Sequence, residues 1–348
     1  MGFEYINEDQ KIRISLSERA YNIMRDDMRV FDVKTPATFV NKLIENFKDS
    51  SIVSITSYLK YWKNSMIDKL KVVPIDSKSK DTLLQSLSIQ EEERIKNIIN
   101  EYKKEKKYSS LYRINNENTE YLMEECEDDY FYSRPGLYIK CLIEDYSCLP
   151  FIERERIYRK EVYDIVEFAC ENNRLMKVNI IINNKRETLY IYPYKIMSDS
   201  MNSQSYLACY THKPNEDSSS KKDASFAMSR LPVPTLLKAS AFLSKADKES
   251  LETHIRTKAI NFLLGEETEI RVRLNSNGKR TFHNRIVSRP ILDDVLSTEE
   301  EYVFHCTESQ AFFYFYSFGA NAEIVSPLSL RERMIKSHTD ALKIYEEN

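Results

Sequence analysis

Glycine is scarce. Five residues in 348 leave no glycine-rich loop to cradle a phosphate or a dinucleotide, so enzymes built on such a loop are excluded. Histidine is equally thin. His212, His254, His283, His305 and His338 are scattered without metal-ligand spacing, and neither a serine nucleophile elbow nor H-E-x-x-H is present, so no catalytic residues, no metal and no cofactor are expected. The cysteines Cys126, Cys141, Cys148, Cys170, Cys209 and Cys306 lack C-x-x-C spacing and read as reduced thiols of a cytoplasmic protein. No apolar run approaches a membrane span. Glu4, Glu8 and Asp9 stand where a signal peptide would carry basic and apolar residues, which again points to the cytoplasm and to no membrane partner. A net charge of −3 gives the whole molecule no electrostatic signature of nucleic-acid binding. The local runs Lys103, Lys104, Lys106, Lys107 and Glu124, Glu125, Glu127, Asp128, Asp129 read first as solvated faces.

What the chain does have is a stretch stated twice. Pro36 to Phe47 reads P-A-T-F-V-N-K-L-I-E-N-F and Pro135 to Tyr146 reads P-G-L-Y-I-K-C-L-I-E-D-Y. Pro36/Pro135, Leu43/Leu142, Ile44/Ile143 and Glu45/Glu144 coincide. Each copy predicts a helix with proline in its first turn after a capping residue, Thr35 or Ser133. Ahead of the first, Lys11, Ile12, Arg13, Ile14, Ser15 and Leu16 alternate with the period of a strand, and Ser17 caps a helix carrying Ala20, Ile23, Met24 and Met28. Ahead of the second, Leu111 to Asn115 alternate, with Arg13 matched to Arg113 and Ile14 to Ile114. Strand, helix, helix in that order resembles the ribbon-helix-helix family of DNA-binding regulators, in units of about 10–47 and 110–147. An isolated strand leaves backbone groups unpaired, so two units in one chain suggest an intramolecular pseudo-dimer. The alternative is an ordinary helix pair whose second copy is coincidence.

Between the units, Ile52, Ile55, Leu59, Trp62 and Met66 predict a helix to about Leu70, and the capping-box pattern Ser88 to Glu91 predicts the start of another. A charged helix is expected from about Ile152 to Asn173. From Lys177 the period changes to that of strands: Lys177 to Ile182, a turn at Asn183 and Asn184, Glu187 to Tyr192, Ser205 to Thr211 and Ala224 to Leu231. Here Tyr192-Pro193-Tyr194, Ser205-Tyr206-Leu207 and Ser229-Arg230-Leu231 resemble the three motifs of the WYL domain, an Sm-like or SH3-like barrel. Two of the motifs have lost their first residue. Alternation places Tyr206, Ala208, Tyr210 and His212 on one face, and with Tyr192, Lys177, Lys195 and Arg230 they would make a stacking and cationic surface suited to single-stranded nucleic acid. Of these, only Tyr206 and Arg230 are carried over from the family's motifs. The bland reading is a half-buried, tyrosine-rich strand.

A helix from about Ser244 is expected to end at Gly265. Strands at Glu269 to Leu274, Tyr302 to Cys306 and Ala322 to Val325 follow, with a helix capped by Ser309 and a last helix from Pro327 to about Tyr345. Phe318-Gly319-Ala320, Glu323 to Pro327 and Leu330 to Arg333 resemble the C-terminal extension that accompanies WYL domains, which implies a regulatory or dimerising module. The expected class is multidomain α+β: a helical ribbon-helix-helix region at 1–165, a WYL β-barrel at 166–234, a helical linker at 235–268 and an α+β domain at 269–348. The whole chain resembles the WYL accessory proteins encoded beside type VI-D CRISPR effectors. That resemblance implies a non-enzymatic binder of single-stranded RNA that stimulates the effector nuclease and forms a homodimer through its C-terminal domain. Lys11, Arg13, Ser15, Arg113 and Asn115 of the ribbon are the further nucleic-acid-binding candidates, the basic positions of the first strand helping the barrel face to hold RNA. The competing reading is a transcriptional regulator, in which the ribbon enters the major groove of DNA and the barrel senses a ligand. Unequal ribbon faces count against a palindromic operator, because phosphate neutralisation dominates duplex affinity.

Overall fold

In the computed structural model, which describes residues 11–125, 130–131, 134–182, 185–199, 203–263 and 265–346, the chain divides into two units, Met1–Lys160 and Glu161–Asn348. Ser133, the Asn183–Asn184 turn, Cys126, the N-terminal acids and most of the acidic run lie outside the described residues.

In the first unit, strand β1 (Lys11–Leu16) leads into helices α1 (Glu18–Val30) and α2 (Pro36–Phe47). Helices α3 (Ile55–Leu70) and α4 (Ser77–Lys104) follow, and then β2 (Tyr108–Arg113), α5 (Asn116–Glu125), α6 (Pro135–Cys148) and α7 (Phe151–Tyr158). Strands β1 and β2 pair antiparallel, with Lys11 opposite Arg113, Arg13 opposite Leu111 and Ser15 opposite Ser109. Both halves of the ribbon therefore come from one chain. Ile12, Ile14, Leu16 and Tyr112 turn inward onto Leu43, Ile44, Leu142 and Ile143 of the repeated helices, as the period of two requires.

The repeated glutamates show what the duplication is for. Glu144 of α6, only 2% exposed, accepts from Ser17 N at 2.7 Å and Ser17 Oγ at 2.7 Å, at the start of α1. Its counterpart Glu45 of α2 accepts from Asn115 Nδ2 at 3.1 Å, at the start of α5. Within this unit, each repeat's second helix thus supports the capping residue of the other repeat's first helix, and at α1 the exchange also satisfies the backbone N–H of the cap. With Ser17 and Asn115 as equivalents, Arg13 corresponds to Leu111 and Ser15 to Arg113. This corrects the match of Arg13 to Arg113, and it places the local pseudo-two-fold axis at the Arg13/Leu111 pair.

Helix α6 is buried almost all round. Gly136 permits this, because a Cβ there would stand 2.6 Å from the Arg13 carbonyl oxygen. Inside, Arg154 pairs with Asp27 at 2.8 and 3.1 Å while Tyr146 Oη donates to Asp27 at 2.7 Å, so the buried ions carry several hydrogen bonds. Helix α4 is continuous over 28 residues from an Asp76 cap, and Ser88 sits buried within it. A capping-box pattern does not start a helix where no glycine or proline stops the previous turn. The single helix expected over Ile152 to Asn173 is instead broken at Arg159, the C-cap of α7.

The second unit opens with α8 (Lys160–Glu171), continues through β3 (Arg174–Ile182), β4 (Lys185–Ser198), β5 (Ser205–His212), β6 (Lys222–Ala227) and β7 (Thr235–Ser240), and crosses the sheet on α9 (Lys245–Lys258). The five strands are ordered β6-β5-β4-β3-β7. Edge strands β6 and β7 do not pair, so the sheet is open and the expected closed barrel is not found. Pro232 and Pro234 lead into β7, which lies in the stretch expected to be linker. Pro193 falls at a bulge in β4, where a missing N–H is tolerated. Val162 and Val166 of α8 pack on Val178, Ile191 and Leu207 of one sheet face. Helix α9 ends at Lys258, before Gly265, with Ala259 at φ 62°.

The remainder is β8 (Glu267–Leu274), α10 (Ser276–Asn284), β9 (Ile291–Leu292), β10 (Glu301–Thr307), α11 (Glu308–Tyr316), β11 (Ala322–Ser326) and α12 (Leu328–Glu346), with strand order β11-β8-β10-β9. Helix α11 is capped by Thr307, whose Oγ1 accepts from Gln310 N at 3.1 Å, and Ser309 lies inside it.

Candidate nucleic-acid interfaces

Outward from the ribbon project Lys11, Arg13 and Ser15 of β1 and Ser109, Leu111 and Arg113 of β2. The cross-strand pairs grade from cationic, Lys11 with Arg113, through Arg13 with Leu111, to neutral, where Ser15 Oγ donates to Ser109 Oγ at 3.1 Å. Among the described residues the Arg13 and Arg113 guanidinium groups enter no ion pair. Leu111 is 57% exposed on the same face. Asn115 is not on that face. Its Oδ1 accepts from Asn118 N at 2.8 Å, and its own N–H donates to Asn41 Oδ1 at 2.9 Å, so it caps α5. The nearby basic run is partly engaged within the chain: Lys107 bonds Glu18 at 2.6 Å on the surface, and Lys103 lies 3.9 Å from the centre of the Tyr130 ring.

The tyrosine face of the sheet alternates as the sequence predicts, but it is covered. Leu251 and Ile255 of α9, with Ile260 and Leu263 after it, pack on Ala208, Tyr210, Tyr192 and Tyr194. Tyr210 Oη donates to the Asp247 carbonyl at 2.9 Å and Tyr194 Oη to Glu252 Oε1 at 2.8 Å, while Lys195 bonds the same Glu252 carboxylate. Lys221 pairs with Asp247 at 2.9 Å and lies over the Tyr192 and Tyr210 rings. Burial raises the phenol pKa of Tyr192, Tyr194 and Tyr210. Tyr192, Tyr210 and Lys195 therefore serve the α9 contact, which corrects the picture of an open stacking platform.

The other expected residues fall at opposite ends of the sheet. His212 is 8% exposed, with its ring 5.1 Å from Tyr190 and 5.5 Å from Tyr192, and its Nδ1 has no hydrogen-bond partner among the described residues. Lys177, half-buried on β3, stands opposite Tyr190 at that same end. Tyr206 is at the other end, opposite Met197 and Ala227. Arg230 is exposed just beyond Ala227, to whose carbonyl its backbone N–H donates at 3.1 Å.

At its end of the sheet Tyr206 meets residues that the sequence reading did not single out. It lines a cavity of about 500 Å³ with Asn261, Phe262, Arg285, Phe313 and Tyr314. An adjoining cavity of about 480 Å³ shares Val287 and Ser288 and adds Arg256 and Arg289. The signal for this site in the sequence is the aromatic run Phe312 to Phe318. Ala311, Tyr314, Phe315 and Phe318 already fill the three-and-four spacing of a buried stripe, so Phe313 falls off it.

Among the described residues no cluster of His, Cys, Asp and Glu could hold a metal ion, and no helix is long and apolar enough to cross a membrane. Burial pushes the thiols of Cys141, Cys170 and Cys306 up to about 12, so they are not nucleophilic thiolates at neutral pH.

No family model and no curated protein matches the chain. Among solved structures it is similar to one described as a CRISPR Cas-related protein, at 20% identity over 97% of this chain and 94% of that chain, with a TM-score of 0.67. The two share a fold over nearly their whole lengths. Proteasome accessory factor B/C (PafBC) of Arthrobacter aurescens overlaps at 11% identity over 65% of this chain and 35% of that one, and its TM-score of 0.30 is too low to support an inference.

Proposed function

We propose that this chain is a CRISPR-associated accessory protein: a non-enzymatic binder of single-stranded RNA that stimulates an RNA-guided ribonuclease of the type VI-D kind. The observation that carries this reading is the end-to-end fold shared with a CRISPR Cas-related protein. On this reading the first unit is a self-completed ribbon-helix-helix scaffold and the second is a WYL-type sheet with its C-terminal extension. The ribbon lends support by its asymmetry. A palindromic operator needs equivalent half-sites, whereas this ribbon is cationic at one end and hydroxyl-lined at the other. A single RNA strand has no such symmetry to match. On this reading Arg13 and Arg113 in the first unit, and Arg230 and Lys177 in the second, are candidates to meet phosphates, each unit taken by itself, and the effector nuclease is the protein partner.

The C-terminal domain is read as the contact between two copies of the chain. Leu328, Ile335 and Leu342 are exposed along α12 at heptad spacing, with Tyr345 exposed near its end. The functional test is to add the purified protein to a guide-loaded type VI-D effector and time RNA cleavage. Faster cleavage with the protein present, and no cleavage by the protein alone, is the expected result. An unchanged time course would overturn the accessory role.

A further inference from the structure

Beside the tyrosine face that α9 covers, the second unit keeps an aromatic cleft that no other described residue covers. Phe313 is 59% exposed on α11, 6.1 Å from the Phe262 ring centre, and Tyr206 lines the same cavity. Ile286 and Val287 are exposed at its rim. Cations line this cleft and its neighbour at Arg256, Arg285 and Arg289, and no carboxylate does. The cavity at the His212 end of the sheet is unlike it, because there lysines are mixed with Glu187, Glu216, Asp223, Glu266 and Glu267. The Glu252 carboxylate, one helical turn before Arg256, interacts with it electrostatically but lines neither cavity. Aromatic planes beside arginines suit a single-stranded polyanion whose bases stack.

The cleft is also prearranged. Arg285 lies over the Tyr314 ring at 5.2 Å and bonds Ser317, while Tyr314 Oη donates to the Arg285 carbonyl at 2.6 Å. Ser288 at φ 55° lines this cleft and Ala259 at φ 62° lines the adjoining cavity, left-handed positions that non-glycine residues adopt at a cost and that recur at ligand clamps. The Asn261 amide lines the cleft. The buried Gln310, which lines neither cavity, braces the Ser288 wall by donating to its carbonyl at 3.3 Å.

We propose that the cleft of Tyr206, Phe262, Phe313 and Arg285 holds one unpaired RNA base, stacked on Phe313, with Asn261 reading its edge and Arg256 meeting the adjoining phosphate. This rests on the single-stranded RNA reading given above. An apolar peptide would also fit the exposed rim, but Arg285 in the cleft and Arg256 and Arg289 in the adjoining cavity favour the anionic strand.

The test uses the full chain and a single-stranded oligoribonucleotide of about twelve nucleotides carrying 2-aminopurine, whose emission is quenched by stacking. Wild-type protein should quench it. Phe313→Ala should weaken binding about tenfold and restore emission, Phe313→Tyr should recover both, and Arg256→Gln should lower the salt slope by about 0.7. Because Phe313 is largely exposed, the unfolding midpoint of Phe313→Ala should match the wild type. If that variant fails to fold, wild-type quenching and the Arg256→Gln slope still decide. Tight RNA binding with no quenching and an unaffected Phe313→Ala would overturn the cleft and leave the RNA reading standing. Absence of any RNA binding by the wild type would overturn both. Loss of effector binding by Phe313→Ala, with RNA affinity intact, would make the rim a protein-docking face and likewise overturn the proposal.

Discussion

Removing the Glu144 carboxylate should unseat the first helix, while the same change at Glu45 should not. Ser17 is itself 2% exposed and gives Glu144 two hydrogen bonds at 2.7 Å, and Arg19 adds a contact at 3.5 Å. Hydrogen bonds to a charged acceptor contribute about 1.5–3 kcal/mol each, and a buried donor left without an acceptor costs about 1–3 kcal/mol. Some of each overlaps, so Glu144→Ala should destabilise the first unit by about 3–5 kcal/mol. Glu144→Gln keeps one acceptor and should cost about 1–2 kcal/mol. Glu45 is exposed and makes one bond of 3.1 Å to Asn115, so Glu45→Ala should stay within about 0.5 kcal/mol. With more than one unit, urea transitions need not coincide. Hydrogen exchange at the first turn of α1 is therefore the better assay, with the urea midpoint as a companion. Equal effects at Glu45 and Glu144, or unchanged exchange at Ala20 and Tyr21 in Glu144→Ala, would refute the reciprocal support between the two repeats.

Gly136→Ala should lower the unfolding midpoint by an amount equivalent to about 1–3 kcal/mol, because the new methyl meets the Arg13 carbonyl oxygen at 2.6 Å. An unchanged midpoint would mean that α6 does not press on the ribbon. Hydrogen bonds from Lys195 and Tyr194 hold the Glu252 carboxyl below its ordinary value of 4.5. A depressed folded-state pKa stabilises above the unfolded value and loses that contribution as pH falls through the folded one. Acidification below about pH 4.5 should therefore loosen α9 from the tyrosines and raise exchange in α9. Glu252→Gln should flatten that pH dependence. Ile335→Asp on α12 should turn a dimer into a monomer by sedimentation, and a dimer that survives it would remove α12 from the interface.

Periodicity made much of this architecture legible before any coordinates. Alternation from Lys11 to Leu16 and the repeated Leu-Ile-Glu gave both halves of the ribbon, since a strand beside two amphipathic helices has few ways to bury its apolar face. In the last domain Glu269 to Leu274 and Ala322 to Val325 fall within the observed strands, β8 and β11. The failures have a common physical cause. A period of two told which of Tyr206, Ala208, Tyr210 and His212 share a face, but not that Leu251 and Ile255 come back across that face. Lys195 and Tyr192 looked like ligand residues because the acidic partner of Lys195, Glu252, stands far along the chain. Strand β7 was hidden for a similar reason: only its pairing with β3 makes Thr235 to Ser240 a strand. Phe313 lies off the buried stripe of Ala311, Tyr314, Phe315 and Phe318 by helical spacing, but spacing alone does not say which cavity it lines.

Binding measured by fluorescence anisotropy, with a single-stranded oligoribonucleotide and a DNA duplex of equal length at one salt concentration, tests the central claim most directly. The account predicts tighter binding of the single strand, with Arg13→Ala and Arg113→Ala each lowering its salt slope by about 0.7 per lost phosphate contact. Tighter binding of the duplex would contradict it and return the ribbon to the role of an operator reader.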